Sequence, residues 1–454
     1  VKKPIYDVVV GGGSILDVIT GKKFRGYLGI EGDKIACISR SVLHGKKYEN
    51  AEGKIVAPGF IDFHSHVDGN PFSAECMVRQ GGTTTLGGER FLSGKRVRDI
   101  SRHGFIINQG FSVSASFVLR QAVGLRDPRR PASREEIRVM ADMADRFLAA
   151  GAFAISFALE FVPGTSYQEM EALGRVAKNY DRPLLIHLRK DGVEGLQYFE
   201  EIFRVARATG VKIHFVQLQY MVGIGGAMPR ALAMMDAARE EGLDVTADTV
   251  LYDAYCASIG TEIFAPGWEE QYGNCSCQDL MIASGIYAGQ FCTEELFREL
   301  RKNHPATLVM AFVCDEEAIP MALQKEYIYV STNAADGPHY PGIGAPEVAG
   351  TFPRLLGKYV RQERVLSMID AVRKVTILPA GRFGLKCIGA LREGYQADLV
   401  ILDEKKILDK AEYMGIGSPD APPKGIQAVY VNGRRVVSHG RLTEERHAGR
   451  WKSR

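Results

Sequence analysis

His64-Ser65-His66 closes the apolar run Phe60-Ile61-Asp62-Phe63. Strand side chains alternate, so these two imidazoles share a face, about 6–7 Å apart along the chain. Both can turn onto one divalent ion. Two merely solvated histidines at a strand end would not need so apolar a flank. His187 ends a second apolar run, Leu184-Leu185-Ile186, and Asp336 follows a third, Val330 to Ala335. A lone histidine is commonly a satisfied core residue, and Asp336 in Asp-Gly-Pro also reads as a turn. Their weight comes from falling together at strand ends. Three histidines and an aspartate suit a divalent metal with a position left open for water. Such a metal lowers the pKa of its water, and the aspartate can carry the proton to a leaving nitrogen.

The elements that must position these groups alternate. Candidate strands are Phe60 to His66, Thr83 to Gly87, Ser112 to Phe117, Ala152 to Phe157, Pro183 to His187, Lys212 to Gln217, Asp244 to Asp248, Thr307 to Val313 and Tyr327 to Asn333. Helical periodicity lies between many of them, as in Ser133 to Ala150, Tyr167 to Asn179 and Gly195 to Thr209. Strands alternating with helices imply a parallel sheet, and this many units favour an α/β fold of the (β/α)8, TIM-like barrel kind. Nine candidates compete for eight places, so Asp244–Asp248 or Thr307–Val313 is expected to belong to an insertion. The Pro-, Gly- and Trp-bearing stretch that starts at Tyr252 reads as an excursion over the barrel mouth, about residues 252–300.

Both ends of the chain differ from the middle. Tyr6 to Val10, Gly26 to Ile30 and Lys34 to Ser39 read as short strands. So do Ala397 to Leu402 and a hairpin turning at Asn432-Gly433, a strong two-residue turn signal. Neither end can build a core alone. One small β-sandwich from residues 1–57 and 387–454, around a barrel of residues 58–386, is the economical arrangement.

The chain has 454 residues, 46% hydrophobic and 24% charged, with a net charge of +3. That is ordinary globular composition, too mildly basic to argue for nucleic acid. No run approaches the length of a membrane span, and the start Val1-Lys2-Lys3-Pro4-Ile5 lacks the apolar core of a signal peptide. Eight cysteines form no dense framework, and Cys275-Ser276-Cys277 with Cys292 matches no zinc spacing. A cytoplasmic setting with free thiols is expected.

Several stretches carry a resemblance. They are Pro58 to His66, Gly82-Thr83-Thr84-Thr85, Ala158 to Gly164, His187-Leu188-Arg189-Lys190-Asp191-Gly192, Gly350 to Gly357, Leu378 to Leu385 and Arg392 to Val400. Over nearly its whole length the chain resembles the amidohydrolase superfamily, and within it the D-aminoacylase (N-acyl-D-amino-acid deacylase) group. The resemblance implies a metal-bearing (β/α)8 barrel with a β-sandwich built from both termini. It implies metal and acid–base roles for His64, His66, His187 and Asp336, and zinc as the metal. It implies hydrolysis of a carbon–nitrogen bond other than a peptide bond in a small amide-type substrate. Self-association, common in the family, is expected here too.

Three departures qualify it. Where the group usually has a cysteine ligand, this chain has Gly87-Gly88-Glu89-Arg90-Phe91. Glu89 is the replacement candidate, and Glu160 a second carboxylate. The sixth strand usually ends in a histidine ligand, and here it offers Gln217. His214 lies three residues earlier and faces the opposite side. One tightly held metal is therefore expected rather than a balanced pair. The family's cations for a substrate carboxylate are replaced by Gln219 and Glu347, which costs charge-assisted hydrogen bonds. The substrate is expected not to be an ordinary N-acyl amino acid with a free carboxylate; a neutral amide, a cyclic amide or ureide, or a cationic compound fits better, with Arg189 the one basic residue that could still hold an anion. Tyr252 and Ser258, from the excursion, are further candidate substrate contacts. The departures leave open a cyclic amide or ureide hydrolase of hydantoinase type, a deaminase, and a non-catalytic homologue.

Overall fold

The structure is a computed structural model that describes residues 4–87, 94–273, 275–334 and 341–453. Asp336 and Glu89 lie outside the described residues.

Both chain ends enter one nine-stranded sheet. Ile5–Asp17, Lys22–Glu31, Lys34–Ser39, His44–Asn50 and Ile55–Pro58 come from the start; Leu399–Leu402, Ile426–Val431, Arg434–Ser438 and Arg441–Leu442 come from the end. The two halves meet where Ile55–Pro58 runs antiparallel to Leu399–Leu402. Each strand is too short to bury a face alone. Together Val10, Ile15, Leu28, Ile30, Leu399, Ile401 and Tyr430 form one apolar cluster. Asn432 and Gly433 both take positive φ, as a tight hairpin turn requires.

The middle of the chain supplies two parallel sheets. One has six strands: Val113–Ser114, Ile155–Ala158, Pro183–His187, Lys212–Phe215, Val245–Thr249 and Ile328–Val330. The other has three: Phe60–Ser65, Gly82–Gly87 and Asn108–Phe111. Hydrogen bonds join them at both margins. The Ser112 N–H donates to the Gly87 carbonyl at 2.6 Å, and the Asn333 N–H to the His64 carbonyl at 3.2 Å. At the second margin Thr332 also donates its N–H to Asp62 Oδ1 at 3.2 Å and its hydroxyl to Oδ2.

The connecting helices follow from local sequence. Arg134–Ala149 opens on a capping box between Ser133 and Glu136, and Tyr167–Asn179 opens on Ser166. Phe199–Thr209 ends at Gly210, whose φ of 66° closes the helix in the left-handed region. Met140, Leu148, Met170, Leu173, Ile202 and Phe203 turn inward onto Ile155, Leu184, Ile186 and Ile213.

The ninth strand candidate resolves cleanly. Val245–Thr249 belongs to the parallel sheet, whereas Leu308–Ala311 pairs antiparallel with Tyr255–Ser258 and Leu280–Ile282. The excursion therefore folds as a small three-stranded sheet and reaches past residue 300. Among the described residues no helix is long and apolar enough to cross a membrane. All eight cysteines are free.

Candidate metal centre

The C-terminal ends of the parallel strands converge on a cavity of about 120 Å³. His66 follows the Phe60–Ser65 strand, His187 ends Pro183–His187, Glu160 lies two residues past Ile155–Ala158, and Gln217 follows Lys212–Phe215. All four line the cavity, as does Asn333 after Ile328–Val330. Phe161, Tyr255, Cys256 and Ile263 supply its apolar wall, the last three from the excursion.

His187 is the hub. Its Nε2 lies 3.2 Å from Glu160 Oε2 and 3.3 Å from Asp191 Oδ1. Donor atoms of these three residues lie within 4.8 Å of one another. Its Nδ1 lies 3.2 Å from Gln217 Oε1, while Gln217 Nε2 donates to Asn333 Oδ1. The amide thus presents oxygen to the ring, Nδ1 is the donor, and Nε2 faces the carboxylates. Gln217 and Asn333 both hold left-handed backbone, with φ of 54° and 56°. Non-glycine residues are uncommon there, and their clustering at one cavity suits a functional site.

The electrostatics are those of carboxylates crowded out of water. Burial, then the neighbouring Asp191, push the Glu160 carboxyl up to about 7, with His187 moderating the rise. Burial opposes charge on His187, but Asp191 and Glu160 outweigh it and raise the imidazole well above its ordinary value. Tyr272 donates its hydroxyl to Asp191 Oδ2 at 2.9 Å.

His64 is fully enclosed one layer below. Its Nδ1 is 3.6 Å from Asp248 Oδ2, and its ring centroid is 5.7 Å from that of His66. His214 Nε2 meets the same Asp248 oxygen at 3.0 Å, while its Nδ1 lies 2.7 Å from Thr246 Oγ1. Burial resists ionisation of Asp248, yet His64 and His214 hold its carboxyl far below the usual carboxylate range. His214 is thus a buried structural partner of Asp248, packed on Phe63, Tyr329 and Phe383, and it does not line the cavity.

The other expected substrate contacts sit elsewhere. Arg189 is not a free cation: Glu201 takes Nε and Nη2 at 2.7 and 2.8 Å, and the Pro163 and Thr165 carbonyls accept the remaining donors. Gln219 donates to the Asp315 carbonyl at 2.8 Å. Glu347 Oε1 accepts the Tyr220 hydroxyl at 2.5 Å. Tyr252 packs under the Arg354 guanidinium, and Ser258 lies on the antiparallel sheet of the excursion. None of these five lines the cavity, although Tyr220, the partner of Glu347, does. Asp191 is the group that strand-end reasoning missed. Its signal was its place four residues past His187, at the N-cap of Gly192–Gly195, where the chain bends back toward the histidine.

Residues 336–437 match the Amidohydrolase family. The chain is 29% identical to the N-acyl-D-glutamate deacylase of Alcaligenes xylosoxydans xylosoxydans, over 94% of this chain and 93% of that one. It is 28% identical to the D-aminoacylase of the same organism, over 98% and 97%. Among solved structures, the N-acyl-D-glutamate deacylase of Bordetella bronchiseptica superposes with a TM-score of 0.87 at 26% identity, covering 99% of both chains. That structure holds zinc and a phosphonate mimic of the tetrahedral intermediate. Over nearly its whole length the chain is thus similar to deacylases of the amidohydrolase kind. The chain is D-aminoacylase-like, and the likeness is that of a metal-dependent hydrolase of a non-peptide carbon–nitrogen bond.

Proposed function

We propose that the chain hydrolyses the amide bond of an N-acylated small molecule at a zinc centre built around His187. The observation that carries this reading is the Glu160–His187–Asp191 cluster, buried in a cavity that His66 also lines. Two carboxylates converge on one imidazole away from water, and a divalent cation can replace the protons they hold there. His64, His66 and His187 are the imidazole donors of this reading, with Glu160, Asp191 and Asp336 as carboxylates. Gln217 is recast from ligand to orienting group, because its oxygen already serves His187 Nδ1. When bound, the metal polarises the scissile carbonyl and makes water acidic near neutral pH.

The chain's own residues do the rest. Glu160 and Asp191 hold His187 between them. Asp336 is the proton carrier of this reading, delivering to the leaving nitrogen. Phe161, Tyr255 and Ile263 keep bulk water from the reacting bond. No lysine or arginine lines the cavity among the described residues, which supports a substrate without a carboxylate beside the scissile bond.

The same reading includes a closed (β/α)8 barrel over residues 58–386. The two parallel sheets supply its eight strands, with Asn108–Phe111 and Val113–Ser114 counted as one. The hydrogen bonds at both margins support that closure. The mixed terminal sheet supports a β-sandwich from residues 1–57 and 387–454.

The test is amide hydrolysis by the zinc-loaded chain on a panel of N-acyl amines and N-acyl-D-amino acids. Turnover that falls by about 10² or more in His187→Ala, with zinc lost, supports the reading. High efficiency on N-acetyl-D-amino acids overturns the substrate part of it.

A further inference from the structure

Phe161 stands in the wall of two cavities. One is the reaction cavity, and the other is a larger chamber of about 570 Å³. Their walls are hydrogen-bonded to each other. Ser116, in the larger chamber, accepts the N–H of Ala158, which lines the smaller one, at 2.9 Å. A line of rings crosses the boundary: the Phe161 centroid is 6.4 Å from His187 and 6.2 Å from Phe117.

The chamber is built rather than incidental. Its floor is a π-helical turn, Ala115–Leu119, running into the short helix Arg120–Ala122. Such turns are rare and gather at functional sites. Phe117, Leu125, Pro128 and Val162 give it apolar walls. The wall is pinned by Arg120, which is 1% exposed and donates to Glu169 Oε2 at 2.6 Å and to the Arg130 carbonyl. Arg126 also lines the chamber, exposed and without an ion pair among the described residues. Phe161 itself is 42% exposed, unusual for a phenylalanine beside a buried site.

We infer that this chamber is the distal subsite of the enzyme. The substituent on one side of the scissile amide passes Phe161, lies along Phe117, Leu125 and Val162, and ends in an anionic group at Arg126. The inference rests on the amide-hydrolase reading and names its substrate class: elongated amides with an apolar chain and a distal carboxylate. No lysine or arginine lines the reaction cavity among the described residues, and the chamber beside it has Arg126.

Two amide series test this on the zinc-loaded full chain. In one the acyl chain grows over a fixed amine; in the other the amine grows beneath a fixed acetyl group. Each is made with methyl and carboxylate ends. In one series kcat/KM is expected to rise about tenfold or more with length, since each buried methylene favours binding, and further with the carboxylate. Arg126→Ala should erase the carboxylate advantage. Gln121→Trp, an exposed position on the chamber rim, should lower the long-to-short ratio of kcat/KM. Turnover without gain from length in either series overturns the subsite alone. So does an Arg126→Ala loss that is equal for methyl and carboxylate ends. Turnover of no amide overturns the hydrolase reading and the subsite with it.

Discussion

His187 Nδ1 lies 3.2 Å from Gln217 Oε1, so the ring turns its other nitrogen toward Glu160 and Asp191. Gln217 is itself fixed by Asn333. Removing an orienting group of this kind costs about 10–100-fold in metal affinity. Gln217→Ala is therefore expected to weaken zinc binding by that factor, read by competition with a chromogenic chelator. Gln217→His is the complementary change. Histidine tolerates left-handed backbone better than most residues, and its imidazole should raise bound metal from one toward two per chain. Unchanged affinity in Gln217→Ala would remove the orienting role.

Metal binding should also depend on pH, in a stated direction. Burial and Asp191 push the Glu160 carboxyl up to about 7, and the carboxylates hold His187 well above its ordinary value. Both groups carry protons in the metal-free chain at pH 6, and zinc must displace them. Apparent affinity is expected to fall as pH drops from about 8 to about 6, by about tenfold per proton released per unit. Glu160→Gln removes one titrating group, so its affinity profile should be flatter. A wild-type profile flat across that window counts against the cluster as the metal centre.

Much of this site was legible in the sequence, for a physical reason. His64, His66 and His187 end apolar runs, and a buried strand cannot carry an imidazole without a partner. Gln217 was legible as a position but not as a role, because nothing in a sequence shows which atom an amide turns to its neighbour. Asp191 was hidden because it lies past the strand, at the cap of the short helix Gly192–Gly195. Arg189 was misjudged: its strand position suggested an open cation, whereas Glu201, twelve residues on in a helix, closes back over it. The split between Val245–Thr249 and Leu308–Ala311 was open because both are short apolar runs. Only their pairing partners distinguish them.

The margin between the two parallel sheets offers a stability test. Asp62 is fully buried, and burial pushes its carboxyl up to about 6 although Thr332 donates to both oxygens. Thr332→Val leaves that carboxyl short of a donor, at an expected cost of about 1–3 kcal/mol. Thr332→Ser keeps the hydroxyl and should retain most of the stability. Urea midpoints compare the two, and a larger loss in Thr332→Ser than in Thr332→Val would show that the methyl group matters rather than the hydrogen bond.

Arg189 provides the last test, because its two possible roles predict different readouts. The guanidinium forms a two-point pair with Glu201 and reaches the carbonyls of Pro163 and Thr165. It ties the loop after the Ile155–Ala158 strand, which carries Glu160 and Phe161, to the Phe199–Thr209 helix. A planar fork with several donors does this, and a lysine ammonium cannot reproduce it. Arg189→Lys is therefore expected to lower the melting temperature by several degrees and to lower kcat through the displaced loop. Glu201→Gln should reproduce most of both effects. A substrate contact would behave otherwise: Arg189→Lys would raise KM for anionic substrates at unchanged stability, and Glu201→Gln would leave KM alone. Thermal melts beside kcat and KM for these two variants separate a residue that positions the loop from one that holds the substrate.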